Sequence, residues 1–269
     1  MKLQEVKERL LEIDSLISGL GEQEVMYGPK ELVGSLFEEI GRLAQQEVKE
    51  GEMGSLLRDP SLREPLRRIS RLRTCYNLRL EREACEEILA SADPWETLRG
   101  FRFYRNYLTL IETEGKAAGL ERGERVVMLG CGPLPITLIV MARIFGVKGL
   151  GIERDRGWAS LAQRVLEKLG LSREIEVAAG DHKLLPSLGN YKLVVIAALA
   201  EPKQEIFDLL ASSIPRGAFI SCRLYEEGLR AILYETAPFR VPSALEEVVR
   251  IPPSPPVNNS VVIFRRSGD

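Results

Sequence analysis

Glycines and acidic residues follow three successive apolar runs in the second half of the chain. Gly130 and Gly132 end the run RVVMLG, and Glu153 ends the next run, 23 residues after Gly130. Asp181 and His182 follow the third run. Glycine lets a backbone approach a ligand closely, an acid at this spacing can accept both ribose hydroxyls, and a side chain after the third strand can meet an adenine edge. The pattern predicts a site for an adenosine compound.

The residues between and after the glycines indicate which compound this is. Cys131 suits a tight turn because it is small, while Pro133, Leu134 and Pro135 follow Gly132. The third glycine of a dinucleotide loop would fall on Pro135, and two prolines remove amides that a pyrophosphate needs. NAD is therefore disfavoured. S-adenosylmethionine has no phosphates, so we expect this cofactor, used as a substrate.

A purely structural explanation of these residues stays open. The glycines can simply turn a strand into a helix, Glu153 can be a surface acid in the run Glu153-Arg154-Asp155, and His182 can be a turn residue. Four cysteines without a CxxC pair and a single histidine make a dedicated zinc site improbable, so we expect reduced, structural thiols and no bound metal.

The elements that must position these residues follow from a change of pattern near residue 120. After it, short apolar runs alternate with helical stretches, which predicts a parallel sheet with helices on both faces. NNSVVIFRR is expected as a final edge strand, after a proline-rich extended connection. We predict an α/β protein with an N-terminal helical domain over residues 1–120 and a Rossmann-like S-adenosylmethionine-binding domain over residues 121–269.

The first 120 residues have apolar spacings of three and four, which predicts helices. Pro29 is expected at the first position of one helix, and GEMGS at 51–55 as a loop. A further helix is expected through Leu66, Ile69 and Leu72 to Leu89. Asp93-Pro94 is expected to begin a helix that runs toward Leu120.

Composition restricts the class of protein. The chain has 269 residues, of which 45% are hydrophobic and 28% charged, and its net charge is −2. This balance argues against partners such as nucleic acid or an anionic membrane. The charged start MKLQEVKERL is unlike a signal peptide, and no apolar run reaches the roughly 18 residues of a spanning helix. We therefore expect a cytoplasmic protein.

Several segments resemble the nicotianamine synthase family. GCGPLPITLIVMA is similar to that family's loop, a glycine pair followed by Gly-Pro-Leu-Pro, and FRFYRNYLTLIETE is similar to its Phe-Pro-Tyr-x-x-Asn-Tyr segment. Further similar segments are YKLVVIAALAEPKQEI, GAFISCRLYEEGLRAILY and VNNSVVIFRR. The resemblance covers about residues 70–264 and departs at Arg102, where plant members have proline, and along the N-terminal helices. It indicates a prokaryotic or archaeal relative.

The resemblance implies a reaction. Family members use S-adenosylmethionine as a donor of its 3-amino-3-carboxypropyl group to an acceptor α-amine and release methylthioadenosine. The product chelates metals, so the enzyme itself needs none. The first acceptor, either a second S-adenosylmethionine or an amino acid such as glutamate, stays open, as do the number of transfers and ring closure.

The resemblance also places functional residues on this chain. It puts Glu81 at a glutamate suited to act as the general base, and Tyr107 at a position to orient the amine or relay its proton. Asn106, Arg223 and Tyr234 fall on expected substrate-binding positions, with Arg223 as a bidentate carboxylate clamp. On this interpretation the helical domain closes over the cleft as a lid. Glu114 also falls on a matching position.

Purely structural roles remain possible for the same residues. Glu81 can be an exposed acid beside Arg82 and Glu83, and Tyr107 can be a core aromatic. Most of the α-helical arginines are expected on a solvated face, with one or two contributing to substrate binding; they are Arg63, Arg67, Arg68, Arg71, Arg73, Arg79 and Arg82.

Two other functions compete. A methyltransferase would share the fold and the cofactor, although Met128 stands where such enzymes often carry an acid that anchors the amino-acid tail. If the tail is placed differently here, another carbon on sulfur could face the acceptor. A nucleic-acid-binding module built on the arginines is the second alternative.

Overall fold

The computed structural model describes residues 3–46, 50–226, 228–234 and 238–268. The chain divides into two compact units. The helical unit comprises Met1–Leu80 and Tyr225–Thr236, and the sheet unit comprises Glu81–Leu224 and Ala237–Asp269. The division at residue 120, where the sequence pattern changes, lies inside the sheet unit, and the predicted domain boundary stays a prediction.

Amphipathic helices form the helical unit. In α1 the side chains of Val6, Leu10, Ile13 and Ile17 are fully or almost fully buried, as their spacing of three and four residues requires. The bounds of the helices are α1 Leu3–Ile17, α2 Glu22–Tyr27, α3 Lys30–Ala44, α4 Glu50–Arg58, a 3-10 turn Pro60–Leu62, α5 Arg63–Ala90 and, late in the chain, α11 Arg230–Leu233.

Two expectations for this part are wrong in detail and one is confirmed. The segment GEMGS lies within α4 rather than in a loop, because burial of Leu56 outweighs the low helix propensity of two glycines. Pro29 is the residue before α3, with a ψ of 133°, and the helix begins at Lys30. The long helix predicted through Leu66 to Leu89 is confirmed as α5.

The helical stretch predicted from Pro94 toward Leu120 is two helices instead of one. Asp93 caps the first, since its carboxylate accepts a hydrogen bond from the Glu96 amide at 2.9 Å. That helix, α6, covers Pro94–Gly100, and α7 covers Tyr104–Ala117. The break follows from Phe101, whose ψ of 127° ends α6 and brings its ring edge-on to Phe103.

A seven-stranded sheet forms the centre of the sheet unit. Its order is β3-β2-β1-β4-β5-β7-β6; the first five strands are parallel, and β7 pairs antiparallel with both β5 and β6. The strands are β1 Arg125–Leu129, β2 Lys148–Glu153, β3 Ile175–Ala179, β4 Leu193–Ile196, β5 Phe219–Leu224, β6 Leu245–Ile251 and β7 Ser260–Arg266.

NNSVVIFRR does contain the last strand, but that strand is not at the edge. β7 lies between β5 and β6, and residues 260–264 are buried. The edge strand is β6, which the sequence pattern did not predict because charged residues interrupt its apolar ones and most of the strand is exposed. The continuous apolar run VVIF is typical of an inner strand with both faces covered.

Helices cover both faces of the sheet, as predicted. Val126 and Met128 of β1 belong to one apolar core, with α7, α8 (Ile136–Phe145) and α9 (Arg156–Lys168). Val127 and Leu129 belong to the opposite core, with a 3-10 helix (His182–Ser187) and α10 (Lys203–Ser213). No helix of the described residues is long and apolar enough to cross a bilayer.

Gly115 sets the close approach of α7 to α8. A Cβ at this position would lie 2.3 Å from Phe145 Cε2, so we expect Gly115→Ala to lower the free energy of unfolding by about 1–3 kcal/mol despite alanine's better helix propensity. Chemical denaturation measures this. Gly100→Ala is the control, because no heavy atom lies within 4 Å of its Cβ position. Equal stability of the two variants would contradict the packing.

Candidate active site

The loop after β1 depends on two glycines. Gly130 and Gly132 have φ values of 73° and 67°, in the left-handed region that favours glycine. A Cβ on Gly130 would lie 3.4 Å from the Ala200 side chain in the segment after β4. The parallel strands β1 and β4 therefore end side by side, with the loop backbone close against the segment that follows β4.

Gly132 brings two carboxylates to this loop. Its amide donates a hydrogen bond of 2.9 Å to Glu153 Oε2, at the end of β2. The other oxygen of Glu153 accepts from the Asp155 amide at 3.0 Å. On its other side, a Cβ on Gly132 would lie only 2.7 Å from Glu81 Oε2. Glu81 and Glu153, distant in sequence, thus lie at one glycine.

The surroundings of Glu81 change its acidity. Loss of solvent around the partly buried carboxyl, and next the negative charge of Glu153, raise the pKa of Glu81 to about 8, against a hydrogen bond from the Leu134 backbone that lowers it. A carboxyl with a pKa close to neutral pH can exchange a proton with a bound substrate, which an ordinary surface glutamate does poorly. Glu81 thus has the acidity and the position, beside the glycine loop after β1, that a proton acceptor needs.

The rest of the loop is fixed by packing rather than by charge. Leu134 is 1% exposed, and the carbonyl of Pro133 accepts a hydrogen bond from the Cys85 thiol at 3.3 Å. Pro135 precedes α8 and accepts from the Ile139 amide. Cys131 fits because Gly151 on β2 has no side chain; a Cβ there would lie 2.7 Å from the Cys131 sulfur.

Neither buried thiol has the surroundings of a nucleophile. Burial, and after it neighbouring glutamates, raise the pKa of Cys85 and of Cys131 far above the ordinary value. Both thiols therefore stay protonated, as expected of structural cysteines. In the described part of the chain no three His, Cys, Asp or Glu side chains come together as a metal site would require.

The residues after β3 lie as the sequence suggested. Asp181 caps the following 3-10 helix, since its Oδ1 accepts from the Lys183 amide at 2.9 Å. His182 is 9% exposed, and its Nε2 lies 3.6 Å from Glu205 on α10. Contact of Asp181 and His182 with an adenine stays a prediction, because the structure shows their placement after β3 and no ligand.

Asn106 and Tyr107 lie in the first turn of α7. Tyr107 is partly buried and packs against the core shared by α7 and α8. Asn106 differs, because its Oδ1 is buried and, within the described residues, has no hydrogen-bond donor. A buried acceptor without a donor is costly unless another group supplies one. This atom is therefore a candidate to receive an N–H of a ligand.

Arg223 has a protein partner that sequence patterns did not assign to it. Its Nε and Nη2 donate to the two oxygens of Glu114 on α7, at 3.2 and 2.7 Å, and its Nη1 donates to Thr137 on α8 at 3.0 Å. Ser221 also donates to Glu114. Glu114 is 0% and Arg223 4% exposed. The bidentate edge expected to hold a substrate carboxylate thus holds Glu114, and a substrate role for Arg223 stays a prediction.

Tyr234 lies in the helical unit, where its hydroxyl accepts hydrogen bonds from Arg73 and from Asn77. The other predicted site residues belong to the sheet unit. The structure brings together Glu81, Glu153 and the loop of Gly132 to Leu134, as described above.

Sequence patterns missed Lys203, which holds the segment after β4. Its ammonium is fully buried and donates to the carbonyls of Ala198 and Ala200, at 2.8 and 3.0 Å, and to Glu201. Ala200 is the residue that approaches Gly130. A lysine at the start of an amphipathic helix is normally exposed, so its sequence carries no signal of this role.

Comparisons with known proteins agree with this architecture. The family model described as nicotianamine synthase protein matches residues 2–269. A crystal structure of an MtNAS mutant with S-adenosylmethionine has 30% identity and a TM-score of 0.85, covering 96% of this chain and 97% of that one. MtNAS with MTA and tNA has 29% identity and a TM-score of 0.83, over 98% and 96%.

Curated relatives are similar over shorter regions. L-histidine 2-aminobutanoyltransferase of Yersinia pestis is 26% identical over 45% of each chain. Probable nicotianamine synthase 4 of Hordeum vulgare is 29% identical over 71% of this chain and 62% of its own. The chain therefore spans about half to two thirds of the length of these relatives.

The structural likeness to MtNAS confirms the predicted α/β architecture, with N-terminal helices and a Rossmann-like, S-adenosylmethionine-dependent transferase fold. Because the family model matches nearly the whole chain, this protein belongs to the nicotianamine synthase family.

Proposed function

We propose that this protein is a transferase that moves 3-amino-3-carboxypropyl groups from S-adenosylmethionine to the α-amine of an amino-acid acceptor. Methylthioadenosine leaves, and the product is a nicotianamine-like metal chelator. The observation that carries the proposal is Glu81, a carboxyl with a raised pKa at the nucleotide loop. The complexes of MtNAS with S-adenosylmethionine and with MTA support it.

The loop suits S-adenosylmethionine. The bare backbones of Gly130 and Gly132 allow an adenosine to approach, and Glu153 is placed at the end of β2, where a carboxylate can accept ribose hydroxyls. Cys131, Pro133 and Leu134 complete the loop in this proposal, with Asp181 and His182 near the adenine. Amide donors are few after Gly132, which matters little for a substrate without phosphates.

Glu81 acts as the general base in this proposal. An acceptor amine enters as an ammonium ion, and the Glu81 carboxylate takes its proton. The freed nitrogen lone pair forms a bond to the γ-carbon beside the sulfonium, and the carbon–sulfur bond breaks with its electron pair going to sulfur. Tyr107 orients the amine or relays the proton, and the unpartnered Oδ1 of Asn106 accepts an N–H of the substrate.

Burial of Met128 supports transfer of the amino-acid tail. This side chain is 5% exposed and belongs to the core under α8. A carboxylate is thus absent at the strand position that often anchors the tail in methyltransferases. We infer that the tail is held elsewhere, which presents its γ-carbon rather than the methyl group to the acceptor.

Several acceptors fit the proposed reaction. A second S-adenosylmethionine and glutamate both offer an α-amine, and histidine is a third acceptor because one relative is an L-histidine 2-aminobutanoyltransferase. The same proposal includes a cytoplasmic location, a prokaryotic or archaeal origin and a helical domain that acts as a lid. It also includes the absence of nucleic-acid, membrane and metal partners.

The leaving product tests the reaction class. We expect purified protein with S-adenosylmethionine, alone or with glutamate or histidine, to release methylthioadenosine and a product heavier by one aminocarboxypropyl group for each transfer. Mass spectrometry measures both. We expect Glu81→Gln to bind S-adenosylmethionine and to lose at least about a hundredfold in kcat, as for loss of a general base.

Glu87→Gln, an exposed glutamate on the same helix, is the matched control and should keep full activity. Release of S-adenosylhomocysteine instead would identify a methyltransferase and contradict the proposal. Unchanged turnover of Glu81→Gln would remove Glu81 from the role of base.

The pH dependence of kcat/KM reports on the same carboxyl. The base form of Glu81 increases as pH rises through its pKa, so we expect kcat/KM to rise with pH up to about 8 and then level off. Removing the charge of Glu153 lowers this pKa. In Glu153→Gln the rising limb should therefore move to lower pH, whatever the loss in rate. A limb that stays in place would assign it to the acceptor amine or to another group.

The stability of Arg223 variants separates its two candidate roles. Arg223→Ala leaves Glu114 buried without a cation, and we expect a loss of about 3–5 kcal/mol in the free energy of unfolding. Arg223→Lys retains the charge. A raised KM for the acceptor in Arg223→Lys at an unchanged melting temperature would support a substrate clamp. A lower melting temperature with an unchanged KM would show that the arginine only positions α7, and full stability of Arg223→Ala would contradict the ion pair.

A further inference from the structure

Arg73 on α5 is partly buried and, among the described residues, has no acidic partner. Within the described ranges, no carboxylate oxygen lies within 4.0 Å of its guanidinium nitrogens. Other α5 arginines have partners: Arg67 pairs with Glu64, Arg68 with Asp14, Arg71 with Glu22 and Arg82 with Glu86, and Arg79 donates to the carbonyl of Val25. Arg73 is therefore a partly buried cation whose charge the described protein does not balance.

The guanidinium is fixed in place on one side. Its Nε donates a hydrogen bond to the Tyr234 hydroxyl, and Asn77, one turn further along α5, donates to the same oxygen at 2.9 Å. The Tyr234 ring stacks on Tyr225, with centroids 4.1 Å apart. The hydroxyl thus accepts two hydrogen bonds, which leaves its own proton to be donated to a third group.

The other side of the guanidinium lacks an acceptor. Arg73 Nη1 is buried, and nothing in the described part of the chain accepts its protons. Likewise no described group accepts the proton of Tyr234. Buried N–H groups are normally hydrogen-bonded, and buried cations are normally paired, because either deficiency costs desolvation free energy. Two donors without acceptors and one unbalanced positive charge favour an acceptor that is negatively charged.

We propose that Arg73 and Tyr234, with Tyr234 oriented by Asn77, bind a carboxylate of a substrate in the helical unit. A carboxylate supplies two acceptor oxygens and the missing charge, and it suits the planar donor edge of a guanidinium. This inference rests on the proposed function, in which both S-adenosylmethionine and the acceptor carry an amino-acid carboxylate. Those two substrates share the chemistry, so the experiment separates them.

Pairs of probes that differ at one carboxyl group provide the test. S-adenosylmethionine is compared with its carboxamide, and L-glutamate with L-glutamine and L-isoglutamine, by calorimetric titration of the whole chain. We expect the wild-type protein to prefer the acid by about tenfold or more for at least one pair, as for a charged hydrogen bond. In Arg73→Met that preference should fall below about threefold, because the amide and the acid then meet the same uncharged side chain.

The pair that loses its preference identifies the substrate. Loss for S-adenosylmethionine assigns the carboxylate of the donor, and loss for glutamate against either amide assigns a carboxylate of the acceptor. A preference that survives in Arg73→Met for every pair, or a wild-type protein that shows none, would overturn the proposal. Arg71→Met, which removes an exposed arginine from the same helix, is the control and should bind as the wild type does.

A second variant keeps Arg73 and places a carboxylate of the protein itself beside its guanidinium. A Cβ on Gly41 in α3 would lie 3.7 Å from Nη2 and 3.9 Å from Nη1 of Arg73. Gly41→Asp therefore supplies an internal carboxylate, and we expect a higher melting temperature with about tenfold weaker binding of the acid probe. Gly41→Asn, equal in size and uncharged, should bind at least about threefold more tightly than Gly41→Asp. Equal binding by the two variants would contradict a carboxylate site.

Release of methylthioadenosine by the wild-type protein tests the proposed reaction separately. Loss of acid preference in Arg73→Met, without methylthioadenosine from the wild type, would support the carboxylate site and contradict the reaction. Release of methylthioadenosine with an acid preference that persists in Arg73→Met would support the reaction and contradict the carboxylate site.

Discussion

The meeting of two carboxylates at Gly132 is the constraint on which the candidate site depends. The Gly132 amide holds Glu153, and the space where a side chain would stand is occupied by the Glu81 carboxyl. Any other residue at this position would displace Glu81, quite apart from the strain of a positive φ. Burial of the Glu81 carboxyl, and after it the negative charge of Glu153 beside the same backbone, raise the pKa of Glu81, which keeps its proton to an unusually high pH.

Buried charge elsewhere in the sheet unit is balanced, and the balance holds the elements around the loop. Glu114 and Arg223 join α7 to β5 and, through Thr137, to the first turn of α8. The ammonium of Lys203 donates hydrogen bonds to three oxygens of the segment after β4 and so holds that segment in place. In the helical unit Arg73 has no such balance among the described residues. The paired charges of the sheet unit hold its elements together. A buried charge without a partner in the protein is instead expected where a charged ligand binds.

Much of the fold could be predicted because periodicity records burial. Short apolar runs that alternate with helical stretches predicted the parallel strands from β1 to β5, and spacings of three and four predicted α5. Predictions failed where tertiary packing outweighed local preference. GEMGS is helical although it contains two glycines, and Phe101 ends a helix that the pattern extends. The last strand was found from its apolar run, but its neighbour β6 is mostly exposed and carries no such signal.

By itself the sequence determined the glycine loop after the first strand, the acid after the second strand and the family, because glycine, proline and spacing act locally along the chain. The tertiary structure alone decided which charges meet. Glu81 lies 51 residues before Gly132 in sequence, and Glu114 lies 109 before Arg223, yet each pair is in contact. An arginine has the same local pattern whether its partner is a glutamate of the protein or a carboxylate of a substrate. Only the folded chain separates Arg223, which has its acid, from Arg73, which has none among the described residues, since pairing depends on distances that the sequence does not contain.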